Sequence, residues 1–216
     1  MIKLPSAALF DLDGVLVDTE TIYTEIWTDI ERVHPTGVKD FAHVIKGSTL
    51  PRILNTYYPD KKEQEEIIAD LYARENVMPY PIFDGVIEFL EELRAHSVPA
   101  AIVTSSGTRK MERLFAQHPG FREYFQVVLT DADVVNSKPD PEGYMKAAAR
   151  MGAASADAIV FEDSYAGLQA GRAAGGMVVA LSTTNPHEAL VDKADLVIEG
   201  FSGLSLSSLM QQLCRE

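Results

Sequence analysis

Six short runs of apolar, β-favouring residues recur along the chain, at 7–10 (AALF), 99–103 (PAAIV), 127–129 (VVL), 158–161 (AIVF), 177–181 (MVVAL) and 196–198 (LVI). They do not alternate apolar with polar, so each predicts a strand buried on both faces. Stretches between them, including GVIEFLEELRAH, TRKMERLFAQH, PEGYMKAAARMG and AGLQAGRAAGG, have helical spacing. Continuous apolar strands separated by amphipathic helices imply a parallel sheet covered on both sides. The predicted class is α/β, with a Rossmann-like parallel core. At 216 residues the chain can form one such domain and carry a smaller insertion.

The rhythm fails once. From 18 to about 81 no strand pattern appears, whereas TETIYTEIWTDIERV and KKEQEEIIADLYARENV have helical spacing. The segment MPYPIFDG then supplies Pro79, Pro81 and Gly85, the punctuation of a linker. The expected organisation is a core of residues 1–16 and 82–216, with an all-α cap domain at 17–81 inserted after the first strand.

Polar residues collect where the apolar runs end. The first run leads into FDLDGVLVDTE, which sets Asp11 and Asp13 two apart, on the same side of an extended chain. Like charges so placed repel unless a cation or a shared proton relieves them. The second run ends in Thr104, Ser105 and Ser106, and the third is followed by NSKPDPEGY with Lys138. The fourth ends in Glu162 and Asp163. Ligands of open parallel sheets bind beyond the carboxyl ends of the strands, so these groups are expected to share one crevice. Carboxylates without histidine or thiolate partners suit a hard ion such as Mg²⁺. Lys138 would balance the remaining charge and hold a phosphate oxygen, with Thr104 and Ser105 beside it. An aspartate can itself attack phosphorus.

Composition narrows the partners. Nineteen basic against thirty-two acidic residues give a formal charge of −13, which disfavours nucleic acid and anionic membrane surfaces. A small phosphorylated metabolite remains admissible where the site carries its own cations. No apolar stretch approaches a membrane span. The opening MIKLPSAALF is too short, and too soon interrupted by Pro5 and Asp11, for a secretory leader. Cys214 is the single cysteine, so no internal disulfide forms. His34, His43, His96, His118 and His187 lack metal-ligand spacing and are expected on the surface or in loops. The expectation is a cytoplasmic protein, monomeric or a weak homodimer.

Taken in order, DLDGVLVDTE, VTSS, SKPDPEGY and FEDSYAGLQAG resemble the four motifs of the haloacid dehalogenase-like hydrolase superfamily, in its β-phosphoglucomutase-like phosphatase branch. The resemblance implies that Asp11 is the nucleophile and Asp13 the general acid and base. It also implies that Thr104 and Lys138 bind the transferring phosphoryl group. Asp163, helped by Glu162, would hold Mg²⁺ with Asp11 and the backbone carbonyl of Asp13. Gly14 would allow the tight exit turn, and Thr19 would lie near the hinge into the cap. Within the cap, Tyr23 and Trp27 have the spacing of packing residues. Tyr23, Lys46 and Arg52 are the candidates for touching substrate. The mutases of this branch have a histidine where Tyr23 stands and an arginine where Leu50 stands. A phosphatase acting on a small metabolite such as a sugar phosphate is therefore expected. A phosphomutase or an inorganic pyrophosphatase is the alternative, and a non-turnover phospho-accepting module lies further off.

Overall fold

The computed structural model describes residues 4–214. Residues 1–3, the front of the segment considered above as a leader, lie outside the described residues, as do 215–216. Six strands, β1 (Ala7–Phe10), β2 (Ala100–Val103), β3 (Val127–Leu129), β4 (Ala158–Glu162), β5 (Met177–Leu181) and β6 (Leu196–Ile198), form one sheet in the order β3-β2-β1-β4-β5-β6. Every adjacent pair is parallel. The six predicted runs become these strands, with β2 starting at Ala100 rather than Pro99 and β4 continuing through Glu162.

The two-residue period of the strands divides the interior into two faces. Ala8, Phe10, Ile102, Ile159 and Phe161 enter one cluster, where Phe10 stacks on Phe161 at 4.6 Å and meets Phe89 edge-on at 6.5 Å. Ala7, Leu9, Ala101, Val103, Ala158 and Val160 enter the other, against Tyr144, Ala147 and Ala148 of α7 (Glu142–Arg150). Small strand residues on that second face let the helix approach closely. On α8 (Tyr165–Ala173) a Cβ at Gly171 would meet Val160 at 3.0 Å, so this glycine sets the helix-to-sheet distance.

Between β1 and α5 (Val86–Ala95) the chain makes a helical insertion of α1 (Glu20–Val33), α2 (Phe41–Val44), α3 (Leu50–Tyr57) and α4 (Lys61–Glu75). Its outgoing and returning segments run side by side, with the Asp18 amide donating to Pro81 O at 2.8 Å and the Phe83 amide to Leu16 O at 3.1 Å. α1 and α4 coincide with the helical spacing seen in the sequence. α2 and α3 do not announce themselves, because one or two turns give no readable periodicity. Local chemistry sets them: Thr49 caps α3 through the Arg52 amide, and Phe41 packs edge-on against Trp27, Tyr57 and Tyr58. No helix among the described residues is long and apolar enough to cross a membrane.

Candidate active site

The end of β1 is where backbone geometry first turns to chemistry. The Asp11 amide still donates to Phe161 O at 3.0 Å, holding that residue in the sheet ladder. The chain then turns back on itself, with the amides of Val15, Leu16 and Val17 all directed to Leu12 O. Gly14 makes this possible: its φ is +74°, and a Cβ there would fall 2.2 Å from Asp163 Oδ2. Only glycine meets both demands.

Lys138 is buried and its ammonium has three acceptors: Asp11 Oδ1 at 2.6 Å, Glu162 Oε1 at 2.6 Å and Val103 O at 3.0 Å. Three donors are thus fully used. Glu162 is also saturated. Its Oε1 accepts from Lys138 and from the Tyr144 hydroxyl at 2.7 Å, and its Oε2 from the amides of Asp163 and Ser164 and the Ser164 hydroxyl. A Cβ on Gly167 would lie 1.8 Å from this carboxylate, so α8 can begin here only with glycine.

Oxygens of Asp11, Glu162 and Asp163 lie within 4.8 Å of one another, the grouping among the described residues able to hold a metal ion. Burial pushes the Asp11 carboxyl up to about 7 against the pull of Lys138, with Glu162 and Asp13 adding to the rise. Burial, then the nearby Glu162 and Asp11 charges, also raise Asp163 well above its ordinary value. Burial alone would lower Lys138, but Asp11 and Glu162 outweigh it and hold the ammonium firmly protonated. Negative charge is therefore in excess, as it is at a site built for a cation. Glu162 thus stands in the acid trio and at the same time orients Lys138 and the Asp163–Ser164 loop.

Asp13 faces elsewhere, with none of its oxygens in the acid trio. Its Oδ1 accepts from the Thr19 hydroxyl and the Lys110 ammonium, and its Oδ2 from the Ser106 hydroxyl at 2.9 Å. Burial raises this carboxyl, but the Lys110 charge and the donated hydrogen bonds prevail and leave it below its ordinary value. Thr104 Oγ1 accepts from the Ser106 amide at 3.0 Å, and its own amide donates to Leu129 O. The Ser105 hydroxyl, expected at the phosphate, donates instead to Gly47 O of the insertion at 3.0 Å.

A cavity of about 420 Å³ lies between these strand ends and the insertion. Asp11, Asp13, Thr104, Ser105, Lys138 and Asp163 form its floor, and Tyr23, Trp27, Ile45, Lys46, Leu50 and Leu71 line its other wall. Tyr23 lines the cavity while its hydroxyl donates to Glu75 Oε1 at 2.8 Å, and Lys46 lines it paired with Glu20 at 2.7 Å. Arg52 does not line the cavity. One residue beyond Pro51 on α3, its guanidinium points out of the wall, donating to Lys138 O at 3.4 Å beside an external groove of Val135, Asn136 and Pro139. Two buried charged groups among the described residues escaped the sequence reading, Lys110 and Glu75. The signal for Lys110 was its place one turn before Leu114, on the buried stripe of α6 (Thr108–Gln117).

Residues 8–181 match the family model of the haloacid dehalogenase-like hydrolases. The chain belongs to that family. Like its relatives in this family it is a hydrolase acting on phosphate monoesters. The chain is similar to a validoxylamine A 7'-phosphate phosphatase of Streptomyces hygroscopicus subsp. limoneus, 35% identical over 89% of this chain and 92% of that one. It is also similar to the hexitol phosphatase A of Escherichia coli, 28% identical over 92% and 93% of the two chains. Among solved structures, a β-phosphoglucomutase from Clostridium difficile superposes with a TM-score of 0.78 over 97% of both chains at 22% identity. That likeness is one of haloacid dehalogenase-like fold.

Proposed function

We propose that this hydrolase is a Mg²⁺-dependent phosphatase of a small phosphorylated metabolite, a sugar phosphate being the leading class, and that it works through an aspartyl-phosphate on Asp11. The observation that carries the reading is the Asp11–Lys138 contact at 2.6 Å on the floor of the cavity between the strand ends and the insertion, with a second, separately held aspartate two residues on. The relatives named above, one a validoxylamine A 7'-phosphate phosphatase and one a hexitol phosphatase, support the substrate class.

The donor set fits Mg²⁺. It consists of hard carboxylate oxygens without nitrogen or sulfur, crowded and buried so that a divalent charge would relieve them. Asp11, Asp163 helped by Glu162, and the carbonyl of Asp13 would hold the ion, which when bound supplies positive charge to the transferring phosphoryl oxygens.

The rest is the work of this chain's own residues. Asp11 Oδ attacks phosphorus as the bond to the leaving oxygen breaks, while Lys138, exchanging one of its three acceptors for a phosphoryl oxygen, and Thr104 hold the group in line. The leaving oxygen takes its proton from Asp13, which must enter the cycle protonated against the pull of Lys110. In the second half-reaction Asp13 receives a proton from water, whose oxygen attacks phosphorus, and the Asp11–phosphorus bond breaks to give inorganic phosphate. The insertion acts as a cap that keeps bulk water off the phosphorylated aspartate and contacts the organic part of the substrate.

A phosphate-release screen over sugar phosphates, other phosphomonoesters and pyrophosphate, with and without Mg²⁺, tests this. Turnover of phosphomonoesters that disappears in Asp11→Asn is expected. Near-wild-type activity of Asp11→Asn rejects the nucleophile, and conversion of a phosphosugar to its isomer without phosphate release favours a mutase.

A further inference from the structure

Lysine is almost never fully buried unless paired. Lys110 is 5% exposed, in the first turn of α6, and its ammonium is spent on a single carboxylate, that of Asp13. Burying an ion pair is a poor way to gain stability, since an apolar side chain of similar volume serves as well or better. The pair must be read for what it holds in place. Lys110 and Thr19 meet one oxygen of Asp13 and Ser106 meets the other, so any rotation of the carboxyl breaks contacts on both sides.

What holds Lys110 comes from the insertion. Its Nζ sits 4.0 Å from the centre of the Tyr23 ring, and Tyr23 in turn is fixed by its hydroxyl on Glu75, buried on α4. The neighbouring Arg109 makes the same kind of contact, 4.6 Å from the centre of the Tyr72 ring and 2.7 Å from Asn76 Oδ1. The first turn of α6 is thus a seat on which α1 and α4 rest.

We propose that Lys110 is a positioning residue, which aims the Asp13 carboxyl at the leaving oxygen of the substrate and is itself held on line by the cap residue Tyr23. The proposal rests on the reading of Asp13 as proton donor. Seating of the cap and alignment of the proton donor then become one event.

The test compares kcat/KM for two substrates, because that ratio covers the steps up to release of the leaving group. p-Nitrophenyl phosphate leaves as a stable phenolate and needs little help from an acid, whereas an alkyl phosphate needs its proton. Lys110→Met should lose about 10- to 100-fold on the alkyl ester and far less on the aryl ester. Lys110→Arg should recover part of the loss, and Tyr23→Leu should show a smaller split in the same direction. Asp13→Ala is the reference and should show the largest split. If Asp13→Ala splits the substrates and Lys110→Met lowers both equally, or neither, Lys110 does not position the acid and the proposal is overturned. If Asp13→Ala shows no split, the acid role of Asp13 falls and the proposal with it. Should Lys110→Met fail to fold, Tyr23→Leu and Lys110→Arg carry the same comparison, and equal effects on both esters overturn the proposal.

Discussion

The Lys138 ammonium lies 2.6 Å from Asp11 Oδ1 and the same distance from Glu162 Oε1, so one buried cation joins the end of β1 to the end of β4. Replacing it by a neutral side chain of similar length leaves two buried carboxylates facing each other. Removing one partner of a buried ion pair costs about 3–5 kcal/mol, and protonation of Asp11 or Glu162 takes up part of that. Lys138→Met should therefore lower Tm and cut kcat by roughly 10²–10³-fold, the scale of losing one fixed donor to a developing charge. A variant that keeps its kcat would remove Lys138 from the phosphoryl site.

Gly14 and Asp163 supply a more selective test. A methyl group at Gly14 meets Asp163 Oδ2 at 2.2 Å, and the residue must also hold a φ of +74°. Gly14→Ala strains the backbone by about 1–3 kcal/mol, which a core of this size should survive. Displacing Asp163 should weaken metal binding in the folded variant. The expected result is a cooperative melt, with the Mg²⁺ concentration for half-activation raised at least about tenfold. Unchanged half-activation would show that Asp163 tolerates the push or is not a ligand.

The pH dependence of the metal-free protein follows from Asp11, whose carboxyl burial raises from 3.8 to about 7. Below the ordinary value both folded and unfolded chains hold the proton. Between it and about 7 the unfolded chain has released the proton and the folded chain keeps it, so stability falls as pH rises through this window. Above it the full penalty is present. Asp163 is shifted in the same direction. Divalent cation binding displaces these protons, so the Tm gained on adding saturating Mg²⁺ should be larger at about pH 8 than at about pH 5, measured against an EDTA control. Equal gains at both pH values would contradict a site built on Asp11.

How far the residues foretold this arrangement depended on whether the signal was local. The strands were legible because runs such as AIVF and MVVAL are apolar without alternation, and only a doubly covered sheet accommodates that. The acids and Lys138 were legible because strand ends in a parallel sheet converge wherever the sequence puts them. α2 and α3 were not, being too short for a period. Lys110 was hidden because a lysine amid polar neighbours in TRKMERLF reads as solvated, and only the distant Asp13 and Tyr23 give its charge a buried partner. For Glu162 the EDS sequence does not reveal that Tyr144, Lys138 and the Ser164 turn also hydrogen-bond to its oxygens.

Lys46 and Arg52 were both candidates by sequence, Lys46 the better one, and the structure separates them. Lys46 lines the cavity and neutralises Glu20, one of the charges that raise Asp163. Lys46→Ala therefore exposes an anionic substrate to an unpaired Glu20 as well as removing a cation. For a pair only one-fifth exposed, about 1 kcal/mol, or roughly a fivefold rise in KM with kcat little changed, is the reasonable scale. Arg52 donates to a backbone carbonyl from outside the wall, so Arg52→Ala should keep KM and kcat within about twofold of the parent, the usual range for a surface substitution. Steady-state kinetics on the best substrate of the screen decide between them, and the reverse ranking would mean that the cap closes on substrate with Arg52, not Lys46, turned inward.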